Sequence, residues 1–225
     1  VQAICDDSEG NIWIGHVQGL DRLDPATDEV KHFILNPNAP VTDWSNHVLA
    51  LLEDSKGRLW VGTGNGLYLF NKKANSFERI LHDSTDKNSL IHNAVNDIYE
   101  DKTSTIWFGT GGGLEKLDSS GKKFIHYWTD PDKISDLYGS PHLILSVFED
   151  SDGVIWLGTS GGFVEFNRKL DSFTTYTHDP EDPTSLANNV VESICEDSKG
   201  DLWIGSEGIN IFNKHTKKFS RYTYN

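Results

Sequence analysis

The chain has 225 residues, of which 34 are Asp or Glu and 20 are Lys or Arg, so its formal net charge is −14. A chain this acidic repels phosphate backbones and anionic lipid surfaces, which argues against nucleic-acid binding. No apolar run of about 18 residues is present, so the sequence predicts no transmembrane helix. The chain opens on Val1-Gln2-Ala3-Ile4 without the basic and apolar segments of a signal peptide. We therefore expect such a peptide to be absent or already removed.

An internal repeat of about 47 residues runs along the whole sequence. Tryptophans recur at intervals of 47, 47, 49 and 47 residues: Trp13, Trp60, Trp107, Trp156 and Trp203. Each follows an Asp-Ser-x-Gly-x-x segment or a variant of it, and a glycine stands two residues later: Gly15, Gly62, Gly109, Gly158 and Gly205. The third copy has Ser104 where the other four have glycine, so we expect a strained or different turn there.

Each copy contains four short apolar runs separated by Gly, Asn, Asp and Ser, as in residues 48–52, 59–61, 66–70 and 76–80. Runs of this length with such punctuation predict strands and turns. Four antiparallel strands at this period define the blade of a propeller. We therefore predict an all-β fold, a β-propeller with five four-stranded antiparallel blades at approximately 1–35, 48–82, 95–129, 144–178 and 191–225, with inter-blade loops between them.

The repeated tryptophans and glycines are interpreted as the packing skeleton between neighbouring blades. A row of ligand-stacking tryptophans is the weaker alternative. A phenylalanine in the fourth strand of each copy is also predicted to lie in the core: Phe33, Phe77, Phe124, Phe173 and Phe219. Cys5 and Cys195 share a column with Leu52, Tyr99 and Phe148. That column predicts buried thiols in preference to metal ligands or a reactive pair.

All five copies keep their four strands in unbroken order, so no strand at one terminus completes a blade at the other. Five blades left as an open arc would expose an apolar sheet face at each end. Either the five blades close on themselves or they form part of a larger propeller. We favour the larger propeller.

Candidate ligand-binding residues lie in the loops. The inter-blade loops, at residues 36–47, 83–93, 130–142 and 179–189, are long and irregular, and they share one face with the loops that join strands two and three. The first class supplies Trp44, His47, His92, Asn93, Tyr138, His142 and Asn189. The second class supplies His16, Gln18, Asn65, Ser160 and Glu207.

Flat rings suit the C–H faces of sugars, while amides and imidazoles suit their hydroxyl groups. The alternative is that these residues only cap loop backbones or form turns. His47 and His92 are placed in like columns of successive repeats, with His142 close to that column. Histidines at repeat spacing without a nearby Asp or Glu are a weak metal signal, so we predict no metal and no cofactor.

The repeat resembles the regulator-propeller repeat of hybrid two-component sensors from Bacteroidetes. The resemblance covers the whole chain and rests on five features: the Asp-Ser-x-Gly-x-x-Trp-x-Gly-Thr core, the pairs Gly66-Leu67 and Gly113-Leu114, the pairs Phe70-Asn71 and Leu117-Asp118, the spacings Phe124 to Tyr127 and Phe173 to Tyr176, and the inter-blade segment 179–189. In that family two seven-bladed propellers lie outside the inner membrane. A β-sandwich, a membrane span, a histidine kinase and usually a response regulator follow them.

The resemblance implies a periplasmic sensor module that recognises oligosaccharides from polysaccharide breakdown and relays their presence to a histidine kinase outside this segment. It also implies seven-bladed rings, an attachment to the membrane only through a span outside the segment, and a possible homodimer of the parent sensor. This segment carries neither an ATP-binding Gly-rich box nor a phospho-acceptor helix, so we expect it to be catalytically inert.

Two other classes of function remain open. A propeller scaffold for protein–protein interaction or dimerisation is the main alternative. A glycosidase or lyase propeller is weaker, because a sialidase needs a cluster of arginines, a Tyr nucleophile and an acidic partner. The arginines are placed on strands or near the opposite face: Arg22, Arg58, Arg79, Arg168 and Arg221. A convincing His-Glu set for a lyase is not visible either.

Overall fold

The computed structural model describes residues 1–40, 42–127 and 143–222. The described chain is all-β, with one three-residue 3-10 turn at Trp44–Asn46. Its strands form five four-stranded sheets in which every pairing is antiparallel, as the repeat predicts. The chain divides into two compact units, Val1–Tyr127 with blades 1 to 3 and Trp128–Asn225 with blades 4 and 5.

The strands follow one another across each sheet in chain order. Blade 1 consists of β1 (Ala3–Asp6), β2 (Ile12–His16), β3 (Gly19–Asp24) and β4 (Glu29–Phe33). Blade 2 consists of β5 (Val48–Glu53), β6 (Leu59–Thr63), β7 (Gly66–Asn71) and β8 (Ser76–Ile80). Blade 3 consists of β9 (Val95–Glu100), β10 (Ile106–Thr110), β11 (Gly113–Leu117) and β12 (Phe124–Tyr127). Blade 4 consists of β13 (Ile144–Glu149), β14 (Ile155–Thr159), β15 (Gly162–Asn167) and β16 (Ser172–Tyr176). Blade 5 consists of β17 (Ser193–Glu196), β18 (Leu202–Ser206), β19 (Gly208–Asn213) and β20 (Lys218–Tyr222).

The aspartate of each repeat closes the turn between the first two strands and also binds the tryptophan. In blade 4, Oδ1 of Asp150 accepts the backbone N–H groups of residues 152 and 154 at 3.0 and 2.9 Å, and Oδ2 accepts the indole N–H of Trp156 at 2.8 Å. The other four blades repeat the indole bond at 2.7 to 3.1 Å. One carboxylate therefore fixes both the turn and the rotamer of the tryptophan, because its two oxygens serve different donors.

Ser104 adopts the same turn conformation as the glycines it replaces. Its φ is 59°, while the corresponding glycines have φ between 71° and 87°. The turn type is thus unchanged, and the cost is that of a side chain held in the left-handed region.

Replacing Ser104 with glycine is expected to raise the free energy of unfolding by about 0.5–1 kcal/mol, because glycine reaches positive φ without the Cβ penalty. Chemical denaturation measures the change. The matched control is Gly57→Ser, which places a side chain in the same turn of blade 2 and should lower stability by a similar amount. A lower stability for Ser104→Gly would show that the turn is not strained.

Neighbouring blades pack through the tryptophan of one and the sheet face of the next. Trp13 contacts Phe70 of blade 2 edge-on, with ring centroids 5.1 Å apart. Trp60 packs in the same way against Phe108 of blade 3 at 5.7 Å, and Trp156 against Phe212 of blade 5 at 5.4 Å. Each of these indoles is almost fully buried, so it contributes a large apolar area to the joint between two blades.

The repeated glycine two residues after the tryptophan makes room for the next blade. A Cβ on Gly62 would lie 2.7 Å from the carbonyl oxygen of Val95, and a Cβ on Gly158 would lie 2.6 Å from that of Val191. Both contacts are with backbone, which cannot move aside cheaply. A residue larger than glycine would therefore separate the blades.

A second link between blades joins the serine of one turn to a glutamate of the next blade. Ser55 donates its backbone N–H and its hydroxyl to the carboxylate of Glu100, at 2.7 and 2.5 Å. Ser151 does the same to Glu196, at 2.6 and 2.8 Å. Nζ of Lys214 lies 2.7 Å from Glu196 and neutralises it. The acidic residue directly before each repeat aspartate therefore has a structural role that the sequence analysis missed.

Phe33 is buried as predicted, but the strand register places it in a different column from the other four phenylalanines. Phe33 pairs with Leu20, whereas Phe77, Phe124, Phe173 and Phe219 pair with the later residue of the third strand. The residue of blade 1 in their column is Val30, which is 60% exposed.

The two cysteines also differ from the expected pair of buried thiols. Cys5 is half-buried, and burial raises the pKa of its thiol to about 12. Cys195 is exposed. Trp203 lies directly opposite Cys195 in the strand pair and is 38% exposed.

Candidate functional site

The inter-blade loops lie beside the loop between the second and third strands of the blade that follows. Asn65 donates its side-chain N–H to Oδ1 of Asp43 at 3.0 Å. A Cβ on Gly64 would lie 2.6 Å from Cβ of Trp44. The two loop classes therefore share a face in blade 2, as the strand order of a propeller blade predicts.

An open groove with a volume of about 530 Å³ lies on this face of the first unit. Its walls come from the loop of blade 1 and from the segment between blades 1 and 2. Its described lining consists of Val17, Gln18, Ile34, Asn36, Pro37, Ala39, Pro40, Asp43, Trp44, Asn46 and His47. None of these residues is Lys or Arg.

Three apolar side chains in the lining of the groove are exposed. Val17, Ile34 and Trp44 are 57%, 54% and 52% exposed. The Trp44 indole stacks on the imidazole of His47, with ring centroids 4.9 Å apart and an interplanar angle of 26°. One face of the indole is thus held by His47, which fixes the ring while much of it stays open to solvent.

His47 lines the groove, and one of its ring nitrogens has no protein partner in the described part of the chain. Its Nε2 is buried and has no hydrogen-bond partner among the described residues. Burial lowers the pKa of His47, so its imidazole stays neutral at pH 7 and can donate or accept one hydrogen bond. A buried polar atom without a partner is costly.

The polar residues around the groove hold the loop in shape. Asn46 accepts the backbone N–H of Asn36 at 2.8 Å and donates to its carbonyl at 2.9 Å. Asp43 accepts the N–H of Ser45 at 2.9 Å and so caps the short 3-10 turn that carries Trp44. These bonds fix the indole on a preformed loop.

The inter-blade loops 83–93 and 179–189 share one set of hydrogen bonds, which differs from that of the loop around Trp44. Asn93 accepts the backbone N–H of His82 at 2.7 Å, and Asn189 accepts that of His178 at 2.6 Å. In both loops the histidine ring then bonds a leucine carbonyl, at 2.6 and 2.8 Å. The amide oxygens of Asn93 and Asn189 are therefore used inside the loop.

The other candidate residues are dispersed. His92 accepts the backbone N–H of Ala94 at 3.0 Å and packs against Gly111, and burial lowers its pKa. Glu207 accepts an N–H from Asn188 at 3.1 Å. Ser160 donates its backbone N–H to the carbonyl of Leu143 at 3.1 Å.

Tyr138 and His142 lie outside the described residues, and His16 belongs to a separate cluster. Of the predicted residues, the structure brings Trp44, His47 and Gln18 together.

The expectation that His47 and His92 occupy like columns is wrong. The carbonyl of His47 accepts the N–H of Gly64, whereas in blade 3 the carbonyl of Ala94 accepts the N–H of Gly111. His47 therefore corresponds to Ala94, two residues after His92. A count back from the repeat tryptophans gives the same result, because His47 and Ala94 both lie 13 positions before the tryptophan of their blade.

The arginines each have a structural contact. Arg58 pairs with Asp54 at 2.7 Å, and Arg168 pairs with Glu149 at 2.5 Å. Arg79 donates to the carbonyl of Asn65 at 2.5 Å, Arg221 donates to the carbonyl of Ser185 at 2.7 Å, and Arg22 lies over the Trp13 ring. Each of the five arginines therefore contacts another part of the fold.

The fold and the groove define a class of protein: a β-propeller with a rigid repeat and a variable loop face. Neither unit's described part contains a helix with the length and hydropathy of a membrane span. The family model of the two component regulator propeller matches residues 1–18, 44–65, 89–112, 138–161 and 185–208. The chain belongs to this family of repeats.

Solved structures share the fold. The extracellular domain of a hybrid two component system from B. thetaiotaomicron is 25% identical with a TM-score of 0.79, over 98% of this chain and 29% of that one. Virginiamycin B lyase from Staphylococcus aureus is 16% identical with a TM-score of 0.67, over 99% and 69%. PorZ, a surface component of the type-IX secretion system of Porphyromonas gingivalis, is 14% identical with a TM-score of 0.63, over 98% and 33%.

The chain spans less than a third of the length of the hybrid two component domain. No curated protein matches the sequence. The likeness to the lyase and to PorZ is a likeness of fold alone. The matched regulator-propeller repeats are typical of a segment without catalytic activity.

Proposed function

We propose that this segment is part of the periplasmic sensor region of a hybrid two component signalling protein. It binds a neutral oligosaccharide from polysaccharide breakdown, and a histidine kinase outside the segment reads the bound state. The segment itself performs no catalysis. The observation that carries the ligand proposal is the groove around Trp44, and the regulator-propeller family supports the sensor role.

The chemistry of the groove favours an uncharged sugar. An exposed indole with a fixed ring plane suits the C–H face of a pyranose, and the flanking apolar residues exclude water from that contact. The amide of Gln18 can bond hydroxyl groups, and Nε2 of His47 can do so once its side chain turns to expose it. Among the described lining residues Asp43 alone carries a charge, so an anionic sugar would meet a carboxylate and no cation from them.

Replacing Trp44 with alanine is expected to weaken oligosaccharide binding at least about tenfold. Stacking of a nucleic-acid base on an aromatic ring is worth about 1–3 kcal/mol by alanine substitution, and we expect a sugar face on the indole to lie in the same range. A thermal-shift screen of neutral oligosaccharides identifies the best ligand, and titration calorimetry then compares the variants.

The matched control is Leu170→Ala, which removes an apolar side chain that is 73% exposed and does not line the groove. Its affinity should equal that of the wild type, and both variants should keep the wild-type melting temperature within a few degrees. Equal affinities for Trp44→Ala and the wild type would place the ligand elsewhere. Turnover of a glycoside would reject the proposal of a non-catalytic sensor.

A scaffold for protein contacts is the second candidate, and the open face of blade 5 favours it. Trp203, Ile209 and Tyr222 lie on the same side of this sheet and are 38%, 45% and 60% exposed. A further blade of a larger propeller would cover the same face. Light scattering distinguishes the two candidates: a concentration-dependent dimer without any ligand-induced thermal shift would favour the scaffold.

A further inference from the structure

Two histidines and an aspartate converge on one face of blade 1, outside the groove. Asp21 on β3 pairs directly with His32 on β4, and His16 ends the neighbouring strand β2 on the same face. Oδ1 of Asp21 lies 2.6 Å from Nδ1 of His32, and Oδ2 lies 3.5 Å from Nε2 of His16. The two imidazole rings stack at 5.5 Å with an interplanar angle of 15°. Strand register therefore holds three potential metal ligands within 4.8 Å of one another.

We propose that His16, Asp21 and His32 form a binding site for a divalent transition-metal ion such as Zn²⁺. Imidazole and carboxylate are the ligands that this ion takes from proteins, at about 2.0–2.2 Å, which puts tetrahedral ligand atoms about 3.4 Å apart. The separation of 3.5 Å between His16 and Asp21 already fits. Nδ1 of His32 lies only 2.6 Å from Oδ1 of Asp21, but this side chain is 46% exposed and has room to move away to the longer distance. Three protein ligands leave a fourth position for water.

The corresponding residues of other blades show why Asp21 in particular is available. In blade 3 the same column holds Glu115, which is fully buried and accepts the backbone N–H of Ile91 at 3.0 Å on both oxygens. In blade 5 the column holds Asn210, whose Oδ1 accepts the N–H of Ala187 at 2.9 Å. Asp21 has only the two imidazoles as partners among the described residues, and its side chain is 29% exposed.

The protons of the two histidines can be placed from their partners. The backbone N–H of Gln18 donates to Nδ1 of His16, so the His16 proton lies on Nε2 and faces Asp21. The carboxylate of Asp21 only accepts, so Nδ1 of His32 carries its proton. When Zn²⁺ binds Nε2 of His16 and Nδ1 of His32, each ring stays neutral and its proton moves to the other nitrogen. The contact from Gln18 is then lost.

The experiment is a calorimetric titration of the whole 225-residue protein with Zn²⁺ alone. The expected result is one ion per chain, with an affinity that falls at least about tenfold in Asp21→Asn and in His32→Gln. The matched control is His126→Gln. His126 is the counterpart of His32 in blade 3 and lies beside Glu115. It should bind as the wild type does.

A second measurement reads the histidine protons directly. Nitrogen NMR should show the His16 proton on Nε2 in the metal-free protein and on Nδ1 after one equivalent of Zn²⁺. Circular dichroism of the variants shows whether they remain folded. Absence of binding, equal loss in His126→Gln, or binding that survives both Asp21→Asn and His32→Gln would overturn the proposal.

Discussion

Replacing Trp156 with alanine is expected to lower the free energy of unfolding by about 3–5 kcal/mol, which is the range for removing a buried aromatic side chain. Trp156 is 1% exposed, packs against Phe163 and Phe212, and donates its indole N–H to Asp150. Its loss leaves a cavity between blades 4 and 5 and removes one of the donors of a buried carboxylate. Both effects act at the joint between two sheets, so the second unit should lose cohesion as a whole.

The matched variant is Trp203→Ala, in the same repeat position of blade 5. Trp203 keeps the indole bond, to Asp197 at 3.1 Å, but is 38% exposed. We expect a cost of about 1–2 kcal/mol, because less apolar surface returns to water. Urea denaturation of both variants measures the difference. Equal costs would show that a structure covers Trp203 in solution. In a longer chain that supplies the next blade, the two costs should become similar.

The aspartate that binds each tryptophan should contribute almost as much to the free energy of unfolding. Asp54→Ala is expected to cost about 3–4 kcal/mol, because it leaves the buried indole N–H of Trp60 and the backbone N–H groups of residues 56 and 58 without an acceptor. Asp54→Asn keeps one oxygen for the turn but directs an N–H group at the indole N–H. It should cost about half as much, again measured by urea denaturation.

The same carboxylates predict loss of stability in acid. Burial alone would raise the pKa of Asp54, but hydrogen bonds from the indole of Trp60 and from Arg58 outweigh it and hold the pKa below its usual value. The pKa values of Asp7 and Asp101 are lowered in the same way. A carboxyl with a lowered folded-state pKa stabilises the fold above its unfolded pKa of about 3.9, and this contribution is lost as the pH falls through the folded value.

Stability should therefore fall below about pH 4, and the fall should be shallower in Asp54→Asn, which lacks one of these titrating groups. A pH series of urea midpoints tests this. A variant that loses stability in acid as steeply as the wild type would show that Asp54 is not among the groups responsible.

The repeat made the fold predictable, because a residue in one copy has the same neighbours as its counterpart in the next. The spacing of the tryptophans predicts the blades, and the turn aspartate and the glycines follow from the same alignment. The link from Ser55 to Glu100 was also visible, since an acidic residue precedes every repeat aspartate. It was missed because the two residues lie 45 positions apart, in different blades.

The candidate site was only partly predictable, because it depends on how one loop departs from the repeat. Loops 83–93 and 179–189 share their hydrogen bonds, whereas the segment before Trp44 is rich in proline and forms a groove instead. Trp44 and His47 were found by residue type. Val17 and Ile34 carried no signal of their own. The cluster of His16, Asp21 and His32 was missed because its members lie on three strands and meet only through the register.

The central claim is that the ligand binds at the Trp44 groove and not at the repeated tryptophans. The chain has seven tryptophans, so their indole N–H signals can be resolved by NMR and Trp44 can be assigned with Trp44→Phe. Adding the oligosaccharide chosen by thermal shift should move the Trp44 signal and leave those of Trp60 and Trp156 in place. Movement of the Trp60 or Trp156 signals without that of Trp44 would contradict the account.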